Sequence, residues 1–241
     1  MALVKQLFER LPYPESSFSG KTVIITGSNT GLGKEAARHI ARLGVETLIL
    51  AVRSLEKGEA AKNDIEFSTK CGKNVIQVWH LDMANYSSVR EFVDRATKLP
   101  RVDTLIANAS IATRKYAVVE DNESTLTVNV ISTFLLVLAM LPKMKNTAET
   151  FGSTPVVSIT SSGSHSSAKF PERLAPDGKI LATLSSDRKF DAFERYPLSK
   201  LLQTMCVKHI GEHYPELRVT INDVNPGFCH SYVPSAIHAQ E

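Results

Sequence analysis

The chain has 241 residues with a formal net charge of +3, and 43% of it is hydrophobic and 22% charged. That is enough chain for one sizeable domain and short for two. The absence of a dense Lys/Arg block argues against nucleic acid. Three widely spaced cysteines with no C-x-x-C argue against a disulfide framework or a cysteine-bound metal, so no metal site is expected.

Met1 to Arg10 carries Lys5, Glu9 and Arg10 among apolar residues and lacks the apolar run of a secretory signal. The expectation is an N-terminal extension over 1–18 that packs on a single domain at 19–241, in a cytoplasmic protein. Thr22 to Thr26 reads as a buried strand, followed by glycines and a helix from Lys34 to Leu43 that ends at Gly44. Thr47 to Val52 is a second strand. Ser54 caps a helix running to about Ser68. A third strand spans Val75 to His80, Ser87 or Ser88 opens the next helix, and Val102 to Ala107 is a fourth strand.

A long apolar helix is expected around Glu123 to Leu141. Its strongest apolar stretch, Ile131 to Leu141, is about half the ~20 residues that a membrane span needs, and Pro142 is expected to end it, so no membrane span is read. Pro155 to Thr160 is a fifth strand. Residues 162–190 are polar and rich in turn formers. Arg195 to His213 is helical by pattern, and Arg218 to Val224 is a sixth strand. This alternation implies an α/β fold: one doubly wound parallel sheet with helices on both faces. Ligands of such sheets sit at the carboxyl ends of the strands.

The first strand runs into Thr26-Gly27-Ser28-Asn29-Thr30-Gly31-Leu32-Gly33 and then a helix. Glycines let the backbone approach a pyrophosphate, and the helix N-terminus offers free N–H groups. The spacing is G-x-x-x-G-x-G. It is not a P-loop, because Glu35 stands after Lys34 where a magnesium-binding hydroxyl would be needed. The second strand ends in Arg53 rather than a carboxylate. A carboxylate there would hold ribose hydroxyls, whereas an arginine can pair with a 2′-phosphate, so NADP(H) is the expected cofactor.

Tyr196 and Lys200 form Y-x-x-x-K on one helix face. A free tyrosine has a pKa near ~10, and an ammonium beside it is expected to favour the phenolate. Ser161, at the end of the fifth strand, could donate a hydrogen bond to a substrate oxygen, with Thr160, Ser162 and Ser164 as nearby competitors. His165 and His230 flank the expected site and receive no role.

Together these residues resemble the short-chain dehydrogenase/reductase family, from about Ser19 to about Ser231. The ordered motifs are Thr26 to Gly33, Asp82, Asn108-Ala109, Asn129, Ser161, Tyr196 with Lys200, and Pro226-Gly227. The resemblance implies a Rossmann-type fold and the catalytic set Ser161, Tyr196, Lys200 and Asn129. Tyr196 would be the proton donor or acceptor, Ser161 would orient the substrate oxygen, Lys200 would tune Tyr196, and Asn129 would help place a relay water. Cofactor contacts would come from Gly27, Ser28, Asn29, Gly31, Leu32, Gly33, Arg53, Asp82, Asn108, Ala109, Tyr196, Lys200 and Ser231. Within the family the chain looks most like the retinol-dehydrogenase-like group, including fungal members of secondary metabolism, through Val52 to Ala60 and the long segment between Ser161 and Tyr196. A small hydrophobic alcohol or carbonyl substrate follows. The alternative is a non-catalytic NADP-binding protein or a truncated, inactive relative.

The chain departs from the family in two places that bear on the site. Ser110 stands where the family has glycine, and would strain the cofactor floor if that position has φ > 0 or close packing. Only 14 residues follow Gly227. The expectation is that the family's final sheet strand is missing, leaving an exposed edge that favours association, such as a homodimer. The substrate pocket is expected to be built from 162–190 and from residues after Gly227.

Overall fold

A computed structural model describes residues 12–227 and Cys229. In chain order its main elements are β1 (Thr22–Thr26), α1 (Gly31–Arg42), β2 (Thr47–Val52), α2 (Leu55–Thr69), β3 (Ile76–His80), α3 (Tyr86–Ala96) and β4 (Thr104–Ala107). A two-residue hairpin follows, β5 (Val118–Val119) and β6 (Asn122–Glu123). The chain continues as α4 (Ser124–Phe151), β7 (Val156–Thr160), α5 (Ile180–Leu184), α6 (Arg195–His213) and β8 (Thr220–Val224). Six strands make one parallel sheet in the order β3-β2-β1-β4-β7-β8. This is the doubly wound sheet expected.

Strand alternation divides the core into two faces. Val23, Ile25, Leu48 and Leu50 meet α1 and α2 through Ala37, Ile40 and Ile65. Ile24, Ile49, Leu105 and Val157 meet α3 and α4 through Phe92, Leu136 and Met140. All five residues of β1 are buried, as its apolar run demands of a central strand covered on both sides. At Gly58, α2 lies so close to the sheet that a Cβ would come within 2.5 Å of Val78 and 2.7 Å of Val52. The described part of the N-terminal segment straps α1. Phe18 N–H donates to the Leu43 carbonyl (3.0 Å), and the Arg42 guanidinium stacks on Tyr13 (4.2 Å).

Ser54 caps α2 as expected, accepting from Lys57 N–H. Asn85, rather than Ser87 or Ser88, caps α3 by accepting from Ser88 N–H. The largest difference is at Pro142, which does not end α4: the helix continues to Phe151. The ring removes one backbone N–H, but Leu138, whose carbonyl loses that partner, is half-exposed. Met144, Thr147 and Ala148 beyond it are buried, and that burial carries the helix through. The whole helix is long and apolar enough to cross a membrane, yet 72% of its most apolar window is buried inside the protein, as befits a core helix. Near its start, Thr127–Ser132 forms a π-helical turn. Among the described residues β8 is the last strand of the sheet. The stretch beyond Cys229, where a further strand was expected to be missing, lies outside the described residues.

Candidate active site

The carboxyl ends of β1, β2, β4 and β7 open on one cleft of about 950 Å³. Its floor is the glycine turn. Gly27 and Gly31 have left-handed backbones, φ +64° and +55°. A Cβ on Gly27 would lie 2.9 Å from the Ala109 Cα, so the turn after β4 closes against bare backbone. Thr26 Oγ1 accepts from the N–H groups of both Asn108 (3.0 Å) and Ala109 (2.9 Å). The Asn108 amide donates to the Thr26 and Gly27 carbonyls (3.1 and 3.3 Å), and its oxygen accepts from the Thr160 hydroxyl (3.3 Å). Asn108 therefore ties three strand ends together and holds the floor rigid. Ser110 lines the cleft without a positive φ, so the backbone strain of a left-handed position does not arise there.

Gly27, Asn29, Gly31, Leu32, Arg53, Asp82, Asn108 and Ala109 all line this cleft. Ser28 and Gly33 stand behind its wall. The Ser28 hydroxyl is buried and donates to the Ile25 carbonyl (2.9 Å), and a Cβ on Gly33 would strike Gly27 O and Asn108 Nδ2, each at 2.6 Å. They shape the turn rather than face the opening. One Asp82 carboxylate oxygen is taken up in accepting from Ala84 N–H (2.9 Å). Beside Arg53 the cleft is also lined by Ser54 and Lys57, from the start of α2. Lys57 escaped the sequence reading. The signal available was its place in the first turn of a helix that begins directly after Arg53.

The opposite end of the cleft holds Ser161, Ser162 and Tyr196. The side-chain partner of Tyr196 is Ser162, not Ser161. The Ser161 hydroxyl is buried and has no hydrogen-bond partner, so it is free to bind a ligand oxygen entering the cleft. Burial raises the Tyr196 pKa above the usual phenol value. The Ser162 hydrogen bond opposes this rise and the nearby Cys229 adds to it. The expectation that Lys200 favours the phenolate is therefore not met in the protein alone.

The reason lies in where Lys200 points. The residue is 1% exposed, and its ammonium donates to the Thr160 carbonyl at 2.7 Å and lies 5.5 Å from the Tyr196 ring centroid. Burial pushes its pKa down to about 8. Asn129 is also behind the wall. Its amide donates to the Ile111 carbonyl (2.9 Å) and Ser199 Oγ (3.0 Å), and its side-chain oxygen accepts from Ile111 N–H (2.9 Å). Its backbone carbonyl accepts from Gln203 Nε2 (2.5 Å). Both amide protons are thus spent within the protein, where they link α4 to the loop after β4 and to α6. The role of placing a water, implied by resemblance, finds no free donor on this side chain. Gln203 is a second residue that the sequence reading missed.

The long segment after Ser162 does not line the cleft; among the described residues only Ser162 and Tyr196, at its two ends, do so. Instead Phe170, Ile180 and Leu184 pack on Leu126 and Leu198. This corrects the expectation that 162–190 builds the pocket wall. Ser231 and His230 lie outside the described residues.

The cleft fits a dinucleotide. The N-cap residue of α1, Thr30, supplies no side-chain cap and its first turn holds no acid, so the free N–H groups face the glycine turn without a competing acceptor. Arg53 and Lys57 supply positive charge at one end, and an unpartnered hydroxyl, Ser161, waits at the other. No group of three or more His, Cys, Asp or Glu that could hold a metal occurs among the described residues.

Residues 21–171 match the short chain dehydrogenase family. A short chain dehydrogenase/reductase of the fungus Cryptosporiopsis sp. is 56% identical over 95% of this chain and 72% of its own length. A short chain dehydrogenase of Emericella nidulans is 45% identical over 92% of this chain and 71% of its own. One of Penicillium roqueforti is 40% identical over 98% of this chain and 62% of its own, so the chain spans roughly two thirds of such relatives. Among solved structures, a short chain dehydrogenase of Salmonella enterica serovar Typhi superposes with a TM-score of 0.66 at 22% identity, covering 90% of this chain and 80% of that one. Another of this type, from Shigella flexneri and solved with NADP, gives 0.65 at 21% identity over 89% of this chain and 80% of that one. At such identities the likeness is one of fold.

Proposed function

The chain belongs to the short-chain dehydrogenase/reductase family, a family of oxidoreductases, and on that premise we propose that it is an NADP(H)-dependent enzyme that interconverts a hydrophobic alcohol and its ketone or aldehyde. The observation that carries this reading is that Tyr196, the unpartnered Ser161 hydroxyl and the glycine turn all open on one cleft. The fungal sources of its relatives make fungal secondary metabolism the setting we propose for it.

Gly27, Asn29, Gly31, Leu32 and the uncapped start of α1 would hold the pyrophosphate, and Arg53 with Lys57 the 2′-phosphate. When bound, the cofactor supplies or accepts a hydride. The chain's own residues do the rest. Ser161 donates a hydrogen bond to the substrate oxygen and fixes it beside Tyr196. Tyr196 would give its proton to the substrate oxygen as that oxygen gains negative charge in the reduction direction, and take it back in the oxidation direction. Burial raises its pKa in the protein alone and so makes it a weaker acid there, and the Ser162 hydrogen bond offsets part of that rise. Ile111, Val119 and Val128 line the same cleft with apolar surface, which suits a hydrophobic substrate.

The test is a titration with NADPH and, separately, NADH, followed by nicotinamide fluorescence, and then an aldehyde and ketone panel with wild type and Tyr196→Phe. The expected result is tighter binding of NADPH than NADH, and turnover that falls by about a hundredfold or more in Tyr196→Phe while NADPH still binds. Retained turnover in that variant sinks the assignment. So does clean NADPH binding without reduction of any member of the panel, which favours a non-catalytic binding protein.

A further inference from the structure

Glu123 and Arg195 form an ion pair sealed from solvent. Arg195 Nε lies 3.5 Å from Glu123 Oε2, and the side chains are 2% and 0% exposed respectively. Glu123 ends β6 and caps α4, accepting from the N–H groups of Thr125 (2.8 Å) and Leu126 (3.3 Å) and from the Ser124 hydroxyl (3.1 Å). Arg195 is the first residue of α6, one position before Tyr196. Its Nη2 donates to the Lys189 carbonyl (3.3 Å), while Nε and Nη1 have no hydrogen-bond partner. A buried pair with spare donors gains little net stability over apolar side chains of the same volume. What it supplies is geometry.

The pair sits where four pieces of chain meet. The Phe190 ring lies 5.7 Å from the Arg195 guanidinium and edge-on to Tyr116 (5.6 Å). The Tyr116 hydroxyl donates to the Ser185 carbonyl (2.8 Å). The Ser185 hydroxyl accepts from Glu123 N–H (3.1 Å) and donates to Asn122 (3.3 Å). Leu184 packs on Leu126 and Leu198 beside them. The hairpin, the head of α4, residues 184–190 and the head of α6 are thereby locked together. Tyr196 projects from this knot into the cleft, and the segment that runs from Ser162 to Glu194 has its far end anchored in it.

We propose that Glu123 and Arg195 are a positioning pair for Tyr196. They hold the first turn of α6 so that the phenol faces Ser161 and Ser162, and through Lys189 and Phe190 they make that placement depend on the 162–194 segment. The segment is a strut behind the proton donor rather than a wall of the pocket. This rests on the reading of Tyr196 as the proton donor.

The experiment compares Arg195→Met, Arg195→Lys, Glu123→Gln and the double variant Glu123→Gln/Arg195→Met. Each is measured for NADPH affinity by nicotinamide fluorescence and for kcat and KM on the best carbonyl compound of the panel. Arg195→Met is expected to lose about ten- to a hundredfold in kcat with little change in NADPH affinity, because a misplaced proton donor slows the chemical step alone. Arg195→Lys should recover part of the loss. The double variant should be no slower than Arg195→Met, since two partners that act as a unit are lost only once. If Arg195→Met does not fold, Glu123→Gln, which keeps the size and cap acceptor of the side chain, carries the test with the same expected fall in kcat. Undiminished kcat in a folded variant overturns the proposal. So does a parallel fall of kcat and NADPH affinity, which marks general loosening. Turnover that survives Tyr196→Phe instead overturns the proton-donor reading beneath it, so the two failures are distinguishable.

Discussion

The Lys200 ammonium gives its hydrogen bond to the Thr160 carbonyl, 2.7 Å away at the end of β7, across the back of the cleft. The group is buried, and its pKa is about 8 against 10.5 in the open. Below pH 8 the native protein must carry a desolvated charge. Between pH 8 and 10.5 the unfolded chain binds the proton more readily, so this group makes stability rise with pH in that window, by up to about 3 kcal/mol. Urea melts of cofactor-free protein at pH 7.5 and 10 should show a smaller rise in Lys200→Met than in wild type. Equal rises would show that Lys200 does not couple proton binding to folding.

Ser161 and Ser162 separate by two readouts. Ser161→Ala removes the hydroxyl proposed to hold the substrate oxygen and is expected to cost about a hundredfold in kcat. It also removes a buried hydroxyl that has no partner, so thermal stability should hold or rise slightly. Ser162→Ala removes the hydrogen bond that lowers the Tyr196 pKa. Its kcat–pH profile should move its alkaline limb upward. A larger kcat loss in Ser162→Ala than in Ser161→Ala would exchange the two roles.

Arg53 and Lys57 share one end of the cleft. Replacing either with alanine should weaken NADPH binding about ten- to a hundredfold, as expected for a lost charge-assisted bond to a phosphate. NADH binding should be unchanged. Equal effects on both dinucleotides would place these cations at the pyrophosphate instead.

Gly27→Ala should abolish measurable dinucleotide binding. The position combines φ +64° with a 2.9 Å approach to the Ala109 Cα, so an added methyl meets backbone that cannot yield. Melting temperature should also fall, because Thr26, Asn108 and Ala109 share one hydrogen-bond network. Wild-type NADPH affinity in this variant would show that the turn is not the dinucleotide floor.

The sheet and the glycine turn that lines one end of the cleft were legible in the sequence for local reasons. β1 and β2 are continuous apolar runs with glycines or charge behind them, and the Ser54 cap and the span of α6 follow from neighbours a few residues away. The misses have non-local causes. Asn129 and Lys200 look like cleft residues in a motif, but their hydrogen bonds to Ile111, Ser199 and Thr160 turn them into the wall behind it. Helix α4 crosses Pro142 because of what Met144 and Ala148 bury against, which no local pattern records. Glu123 and Arg195 carry no signal in their own neighbourhoods; only the fold makes them partners.

The strand order has a bearing on how the chain comes to be folded. In the sheet, Val23 faces Leu48 on one side and Thr104 on the other. The first pairing closes within a single βαβ unit; the second waits for far more chain. Loop-closure entropy therefore favours pairing within the half of the sheet from β3 to β1 over the pairing of β1 with β4. The face that carries Ile24 and Ile49 has its packing partners only once β4, α3 and α4 are in place. A chain that held the first half alone would expose that apolar face, the condition that invites aggregation and chaperone capture.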